Sequence, residues 1–416
     1  MTARGFGLAL FALATYLAGR LLGTEELYLV ALALVAMTVL TQVLATPARG
    51  TLTVERSLDP TAPVAGEPVE IHLRVTNRGM VPVMPSELTM SLAGAADIEL
   101  RSSFGPIGPR RTSQFSILVP GLRRGLYTLP APSIRTEDPL GIARRTRSRG
   151  RETTVTVLPA HVTLESCVFF GGRNRGQDPR TRATSAHSTY DLRGVRPHQP
   201  GEPLSRIDWK STAKTGVLML RETEEHTRSA VILLLDGTEA AVAGRRGDDT
   251  FELAVSALAS VGVHALRTGL SLKLIVHADH PGEVFADPGE RGERVLLTSL
   301  AKAEPDARRP LAMTIQTFGS SVAAGISVVV ATSNIDRALL ADLSSLRERG
   351  TPSYVVHVDS GAYRTEHDLI AQEKRSLLHE LSLRGIPSVT LRSADDLEPT
   401  LSLSPEMERR WGGVRQ

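Results

Sequence analysis

Two uninterrupted apolar stretches open the chain, and no other feature constrains its fold as strongly. Residues 6–22 read FGLALFALATYLAGRLL and residues 27–45 read LYLVALALVAMTVLTQVLA. Each approaches the ~20 residues needed to cross ~30 Å of hydrocarbon. The second carries no charge; the first carries only Arg20, near enough to its end to snorkel toward the interface. Only Gly23-Thr24-Glu25-Glu26 separates them, so the two helices must run antiparallel. The expectation is a transmembrane helical hairpin within residues 1–48. A cleaved signal peptide fits poorly, because it has one apolar core of roughly 7–15 residues followed by a cleavage site. Arg4 precedes the first stretch, Arg49 and Arg56 follow the second, and the turn holds two glutamates. The positive-inside rule then puts both ends in the cytoplasm. The expected location is the cell membrane, as a two-span protein with cytoplasmic soluble domains and the lipid bilayer as a partner.

At about one domain per ~150 residues, a chain of 416 residues has room for two or three. Apolar residues at 41% and charged residues at 22% exclude wholesale disorder. A single cysteine, Cys167, excludes a disulfide framework and any multi-cysteine zinc or iron–sulfur site, and suits a reducing compartment. Aromatic residues, at 4%, are too scarce for the stacking platforms of single-stranded nucleic-acid binders, so no nucleic-acid partner is expected. Lys210, Lys214, Lys273, Lys302 and Lys374 are the only lysines, and none follows a glycine. A phosphate loop ending in Gly-Lys-Ser/Thr is therefore excluded.

Residues 50–160 carry the period-two alternation of strands, as in 51–56, 69–76, 114–119 and 153–158. Turn signals such as Gly66-Glu67-Pro68, Asn77-Arg78-Gly79 and Asp138-Pro139 separate these runs. Short alternating strands between such turns predict an antiparallel, immunoglobulin-like β-sandwich of about seven strands. Between Arg101 and Arg151 arginine is frequent, and Glu137 and Asp138 are the only acids. Such a face is either simply solvated or drawn to anionic lipid.

The texture changes near residue 229. Ala230-Val231-Ile232-Leu233-Leu234-Leu235-Asp236 is continuously apolar up to its last residue, as a strand buried on both faces requires. Apolar residues then recur at helical spacing through 248–267. Further strands are predicted at 272–276, 326–331, 353–358 and 388–391, with helices at 294–303, 337–349 and 367–383. This alternation predicts a doubly wound α/β domain over 229–400, with ligands at the carboxyl ends of its strands. Residues 401–416 form a C-terminal tail. The connector, 161–228, fits neither domain, and its Gly171–Gly176 stretch reads as exposed loop.

The connector also holds the most distinctive stretch of the chain. Arg196, Gly201, Arg206, Ile207, Asp208, Trp209, Lys210 and Ala213 lie along it, and Leu220-Arg221-Glu222 closes it. This pattern resembles the signature of a bacterial domain-of-unknown-function family, number 58. His198 stands where a tyrosine is usual, Glu202 where an aspartate is usual, and Lys214 where an arginine is usual. The order of spans, sandwich, signature and a von Willebrand factor A-like domain also matches. The resemblance implies a membrane-anchored, non-catalytic adaptor or chaperone-like partner of a MoxR-type AAA+ ATPase, acting beside a membrane transglutaminase-like protein in the maturation of envelope or secreted proteins.

A von Willebrand A-like domain further implies a Mg²⁺ site of the form Asp-x-Ser-x-Ser at the end of the first strand. Here that strand ends Asp236-Gly237-Thr238-Glu239-Ala240. Asp236 and Thr238 offer oxygen to a hard cation, but Ala240 offers none. Glu239 is a substitute ligand only in a rearranged site, and the loop 331–336 supplies no clean match for the expected aspartate. No cofactor is therefore expected; a metal-dependent ligand receptor built on this degenerate site is the alternative function. No enzyme constellation stands out: His379-Glu380 lacks the second histidine of a zinc motif, and Gly319–Ala323 lacks the closing glycine of a nucleophile elbow. Cys167 is a nucleophile by residue type alone. His187, His198 and His226 read as structural hydrogen-bonding groups.

Within the signature, an extended Ile207-Asp208-Trp209 would turn Ile207 and Trp209 to one face and Arg206 and Asp208 to the other. Trp209 is then expected to bury its ring, while Asp208 pairs with Arg196 or Arg221. The segment either fixes the joint between domains or presents its charged face, with Arg206 and Asp208, as the partner's docking surface.

Overall fold

The computed structural model describes residues 3–44, 52–94, 97–137, 144–148, 150–170, 191–197, 209–224, 230–320, 322, 325–363 and 368–402. Residues Met1–Ala160 with Leu297–Ala303 form one unit, and His161–Leu296 with Glu304–Gln416 the other.

The first unit opens with helices α1 (Ala3–Leu22) and α2 (Glu25–Leu44). Gly23 turns the chain between them at φ +67°, a left-handed value that costs glycine nothing. Its N–H donates to the Gly19 carbonyl at 2.9 Å. Tyr16 and Tyr28 meet edge to face across the helix pair, 5.5 Å between centroids. Phe6, Leu10, Leu21, Leu29 and Leu32 nevertheless stand exposed, so the helices do not hide their apolar surface in protein. Among the described residues one helix, Arg4–Leu22, is long and apolar enough to cross a membrane.

Nine strands follow: β1 (Leu52–Asp59), β2 (Val69–Asn77), β3 (Ser86–Gly94), β4 (Ile98–Phe104), β5 (Thr112–Val119), β6 (Gly125–Leu129), β7 (Ser133–Glu137), β8 (Arg144–Ser148) and β9 (Thr153–Val157). They pair antiparallel in two sheets, β1-β2-β5 and β8-β7-β3-β6-β9, with β4 also on β3. The alternation is clearest in β2, where Val69, Ile71, Leu73 and Val75 are buried and His72 and Arg74 exposed. Those four pack with Leu88, Tyr127 and Leu129 into one core. Among the described residues the expectation of about seven strands is thus corrected to nine. Part of the reason is that β7 and β8 are polar (SIRTE, RRTRS) and carry no apolar alternation to read. Arg56, read in the sequence as a charge flanking the second span, lies in β1. Its guanidinium donates to the carbonyls of Leu129, Pro130 and Arg151, at the end of β6 and the approach to β9.

In the second unit, residues 161–170 lie along a helix and are not free connector: Val162 N–H donates to Ser260 Oγ (3.0 Å), and His264 Nδ1 meets the Leu164 carbonyl (2.8 Å). The stretch 171–176 lies outside the described residues. Strands β10 (Asp191–Pro197) and β11 (Met219–Glu224) pair antiparallel, and helix α3 (Trp209–Thr215) falls between them in the chain. The main sheet follows, built from β12 (Ala230–Asp236), β15 (Ser271–His277), β16 (Gly282–Ala286), β17 (Ser327–Thr332), β18 (Ser353–Val358) and β19 (Ser388–Leu391); a minor hairpin, β13 (Gly244–Arg245) and β14 (Asp248–Asp249), precedes the first helix. The interleaved helices are α4 (Thr250–Arg267), α5 (Glu290–Lys302, whose residues from Leu297 onward group with the first unit), α6 (Leu311–Gly319), α7 (Arg337–Glu348), α8 (Asp368–Leu383) and α9 (Leu397–Leu401).

The strand order is β16-β15-β12-β17-β18-β19, parallel except for β16. Ile232 and Leu234 face a core with Leu311 and Phe318 of α6, Leu339 and Leu343 of α7 and Leu381 of α8. Leu233 faces the opposite way, toward Gly262 of α4, where a Cβ would press on its side chain. β12 is therefore buried on both faces, which is why it reads as unbroken hydrophobe. The strands and helices expected here all form. β16 and α6 were not anticipated: β16 is only five residues, and α6 follows Arg308-Arg309-Pro310, which reads as a break.

Candidate functional site at the switch point of the sheet

From β12 the chain proceeds on one side to β15 and β16, and on the other to β17, β18 and β19. Such a reversal opens a crevice at the carboxyl ends of the two central strands, where doubly wound sheets ordinarily bind ligands. Here those ends are Asp236 and Thr332, brought together by the parallel pairing of Leu235 with Ala331.

Both carboxylate oxygens of Asp236 are occupied. Oδ1 accepts from Thr238 Oγ1 (2.6 Å) and from Thr238 N–H (3.0 Å); Oδ2 accepts from Thr332 Oγ1 (2.6 Å). Thr332 Oγ1 also lies 2.8 Å from the Asn334 carbonyl and accepts the Asn334 N–H at 2.9 Å. A hydroxyl has one proton, and the shorter distance to a charged acceptor assigns it to Asp236. Asp236 and Thr332 are 7% and 1% exposed, so the bond between them is buried, while Thr238 at the other oxygen is half-buried. Ser333 is spent as well, donating to the Ala241 carbonyl at 2.6 Å.

The rest of the strand end is closed by backbone. Ala307 N–H donates to the Gly237 carbonyl and Glu239 N–H to the Ala307 carbonyl. Gly237 is required there, because a Cβ would run into the His277 carbonyl. His277 itself is fixed between Thr314 Oγ1 (2.7 Å) and the Arg309 carbonyl (2.8 Å).

Of the residues considered as metal ligands, Asp236 and Thr238 are together and Ala240 is nearby without an oxygen. Glu239 does not stand in for the missing ligand: it is exposed, 4.0 Å from the Arg308 guanidinium. Asp336, in the later loop, is the N-cap of α7 and accepts the Leu339 N–H. Among the described residues no three His, Cys, Asp or Glu side chains converge. The donor set is one carboxylate plus two hydroxyls that already donate to it, a poor fit to a hard divalent cation. Sequence reasoning missed Thr332; its available signal was a polar residue closing an apolar run parallel to β12.

Cys167 is buried, which pushes its thiol up to about 12 and keeps it protonated, so it lacks the thiolate that nucleophilic attack needs. His187, His198 and His226 lie outside the described residues.

The signature residues divide. Gly201, Glu202, Arg206 and Asp208 lie outside the described residues, and so does any pairing of Asp208. Arg196 and Arg221 lie on β10 and β11, offset by one position: Arg196 opposes Leu220 and Arg221 opposes Val195. Trp209 corrects the reading of the segment. It opens helix α3, not an extended run, and is 67% exposed. The helix has seven residues, none of them buried. Lys210 and Lys214 are exposed on the same helix.

With this geometry established, the comparisons with known proteins are specific in sequence and weak in shape. The profile of the family described as "Protein of unknown function DUF58" matches residues 194–358. The uncharacterized protein YeaD of Bacillus subtilis is 26% identical over 202 residues, which is 49% of this chain and 48% of YeaD. The chain thus spans about half the length of that curated relative. The solved structure of the conserved hypothetical protein BatB from Bacteroides thetaiotaomicron is 12% identical with a TM-score of 0.30, covering 44% of this chain and 96% of that one. A CARDB domain from Pyrococcus furiosus is 16% identical with a TM-score of 0.20, covering 26% of this chain and 87% of that one.

Proposed function

The chain resembles the DUF58 family through residues 194–358, and from that premise we propose that it is a membrane-anchored, non-catalytic adaptor. The observation that carries this reading is the state of Asp236: the acid at the switch point is consumed by Thr238 and Thr332, where an enzyme or a metal-dependent receptor would keep it available. Helices α1 and α2 serve as the anchor, as a two-span hairpin with both ends in the cytoplasm. A sheet whose first strand ends in Asp236-x-Thr238 supports a von Willebrand A-like identity for the second unit. In this reading that unit has kept the strand-end acid for stability and lost the cation.

The partners implied by the family are a MoxR-type AAA+ ATPase and a membrane transglutaminase-like protein, with a role in maturing envelope or secreted proteins. The test is affinity capture of the tagged full chain from detergent-solubilised membranes, with and without ATP. Enrichment of an AAA+ ATPase over an unrelated two-span membrane protein is the expected result. Equal recovery from both baits rejects the adaptor reading.

A further inference from the structure

Trp209, Val217 and Leu218 are 67%, 54% and 42% exposed, three large apolar side chains within one short segment. The same segment, residues 209–218 (WKSTAKTGVL), holds Lys210 and Lys214 and no carboxylate. We propose that this segment docks on an anionic lipid surface, with Trp209, Val217 and Leu218 entering the headgroup boundary and Lys214 facing lipid phosphates.

The segment is presented, not loose. Thr215 Oγ1 donates to the Ser211 carbonyl, and Gly216, at φ +71°, returns its N–H to the Thr212 carbonyl at 2.9 Å and ends the helix. Met219 N–H then donates to Thr212 Oγ1 at 3.0 Å, which folds Val217 and Leu218 back against the helix end. This holds the apolar tip and the lysines together without burying any residue of α3.

The combination favours a bilayer over a protein. The indole ring has an apolar body and a polar N–H, which suits the boundary between headgroups and acyl chains. Lysine is depleted from the cores of protein interfaces, whereas each one near an anionic leaflet adds to binding. α1 is of membrane-crossing length, so on the proposed anchoring the segment is tethered to the same membrane, which raises the effective concentration of lipid it meets. From the proposed function the inference takes only the anchor. ATPase capture has no part in its test, so failure of the two is distinguishable.

The experiment uses the full chain with Trp411→Phe, which leaves Trp209 as the single tryptophan. It is reconstituted into vesicles of phosphatidylcholine alone or of phosphatidylcholine with phosphatidylglycerol, with brominated acyl chains as quencher. The expected result is blue-shifted, quenched emission in the phosphatidylglycerol vesicles, reversed by high salt. In the Lys214→Gln variant the docked-to-undocked ratio should fall about fivefold. Water-exposed emission without quenching in phosphatidylglycerol vesicles overturns the proposal. So does a blue shift without quenching, which marks a protein contact, and so does equal quenching in phosphatidylcholine alone.

Discussion

Asp236 and Trp209 belong to the same unit, and their surroundings are opposites. Asp236 sits where a doubly wound sheet conventionally offers its site, yet every oxygen it has is used internally. Trp209 sits on a seven-residue helix that looks structurally dispensable, yet its ring faces outward beside Lys210 and Lys214. The contrast teaches where to look for function in such a chain. A buried, satisfied acid contributes stability, while an exposed aromatic with cationic neighbours contributes contact.

The contrast is broken most directly by Asp236→Ala. It strips the acceptor from three donors, one of them the buried Thr332 hydroxyl, and should cost roughly 2–4 kcal/mol on denaturant unfolding. Mg²⁺ should raise the melting temperature of neither protein. A near-neutral substitution, or a Mg²⁺-dependent rise in the native chain alone, would mean that Asp236 is kept for a ligand, and would revive the receptor reading.

Cys167 sharpens the buried side of the comparison through pH. Burial raises its thiol from 9.0 to about 12, so the unfolded chain releases this proton first as pH rises. Between those values the unfolded state binds fewer protons, and stability falls with rising pH, by at most about 1.4 kcal/mol per pH unit. Cys167→Ala should show a shallower loss over the same window. Parallel slopes for the two proteins would contradict the assigned burial.

The smallest effect is expected at Trp209. With its ring exposed, Trp209→Ala should change stability by no more than about 0.5 kcal/mol, against the roughly 3–5 kcal/mol of a buried large aromatic. A loss of the larger size would return Trp209 to a packing role and remove the exposed half of the contrast.

Legibility followed burial. β12 was readable because a central strand covered on both faces needs apolar residues at every position, and Val231 to Leu235 supply them. α4 was readable because its apolar positions recur at helical spacing. In the sandwich, β2 announced itself by alternation, while the polar pair β7 and β8 did not. At the candidate site, Asp236 and Thr238 were visible as a local motif. Thr332 was not, since its link to Asp236 spans 96 positions and exists only through the register of β12 with β17.

The amino-acid order by itself determined the apolar start, the change from period-two to helical texture, and the acid that closes β12, because each rests on neighbours within a few positions. Only the tertiary structure decided that Asp236 meets Thr332, that Arg56 ties β1 to the carbonyls of Leu129, Pro130 and Arg151, and that Trp209 faces outward. Those outcomes depend on which segments lie side by side after folding. A strand pairing, a guanidinium held by distant carbonyls and an uncovered ring are properties of distant partners, or of their absence, and no local pattern encodes them.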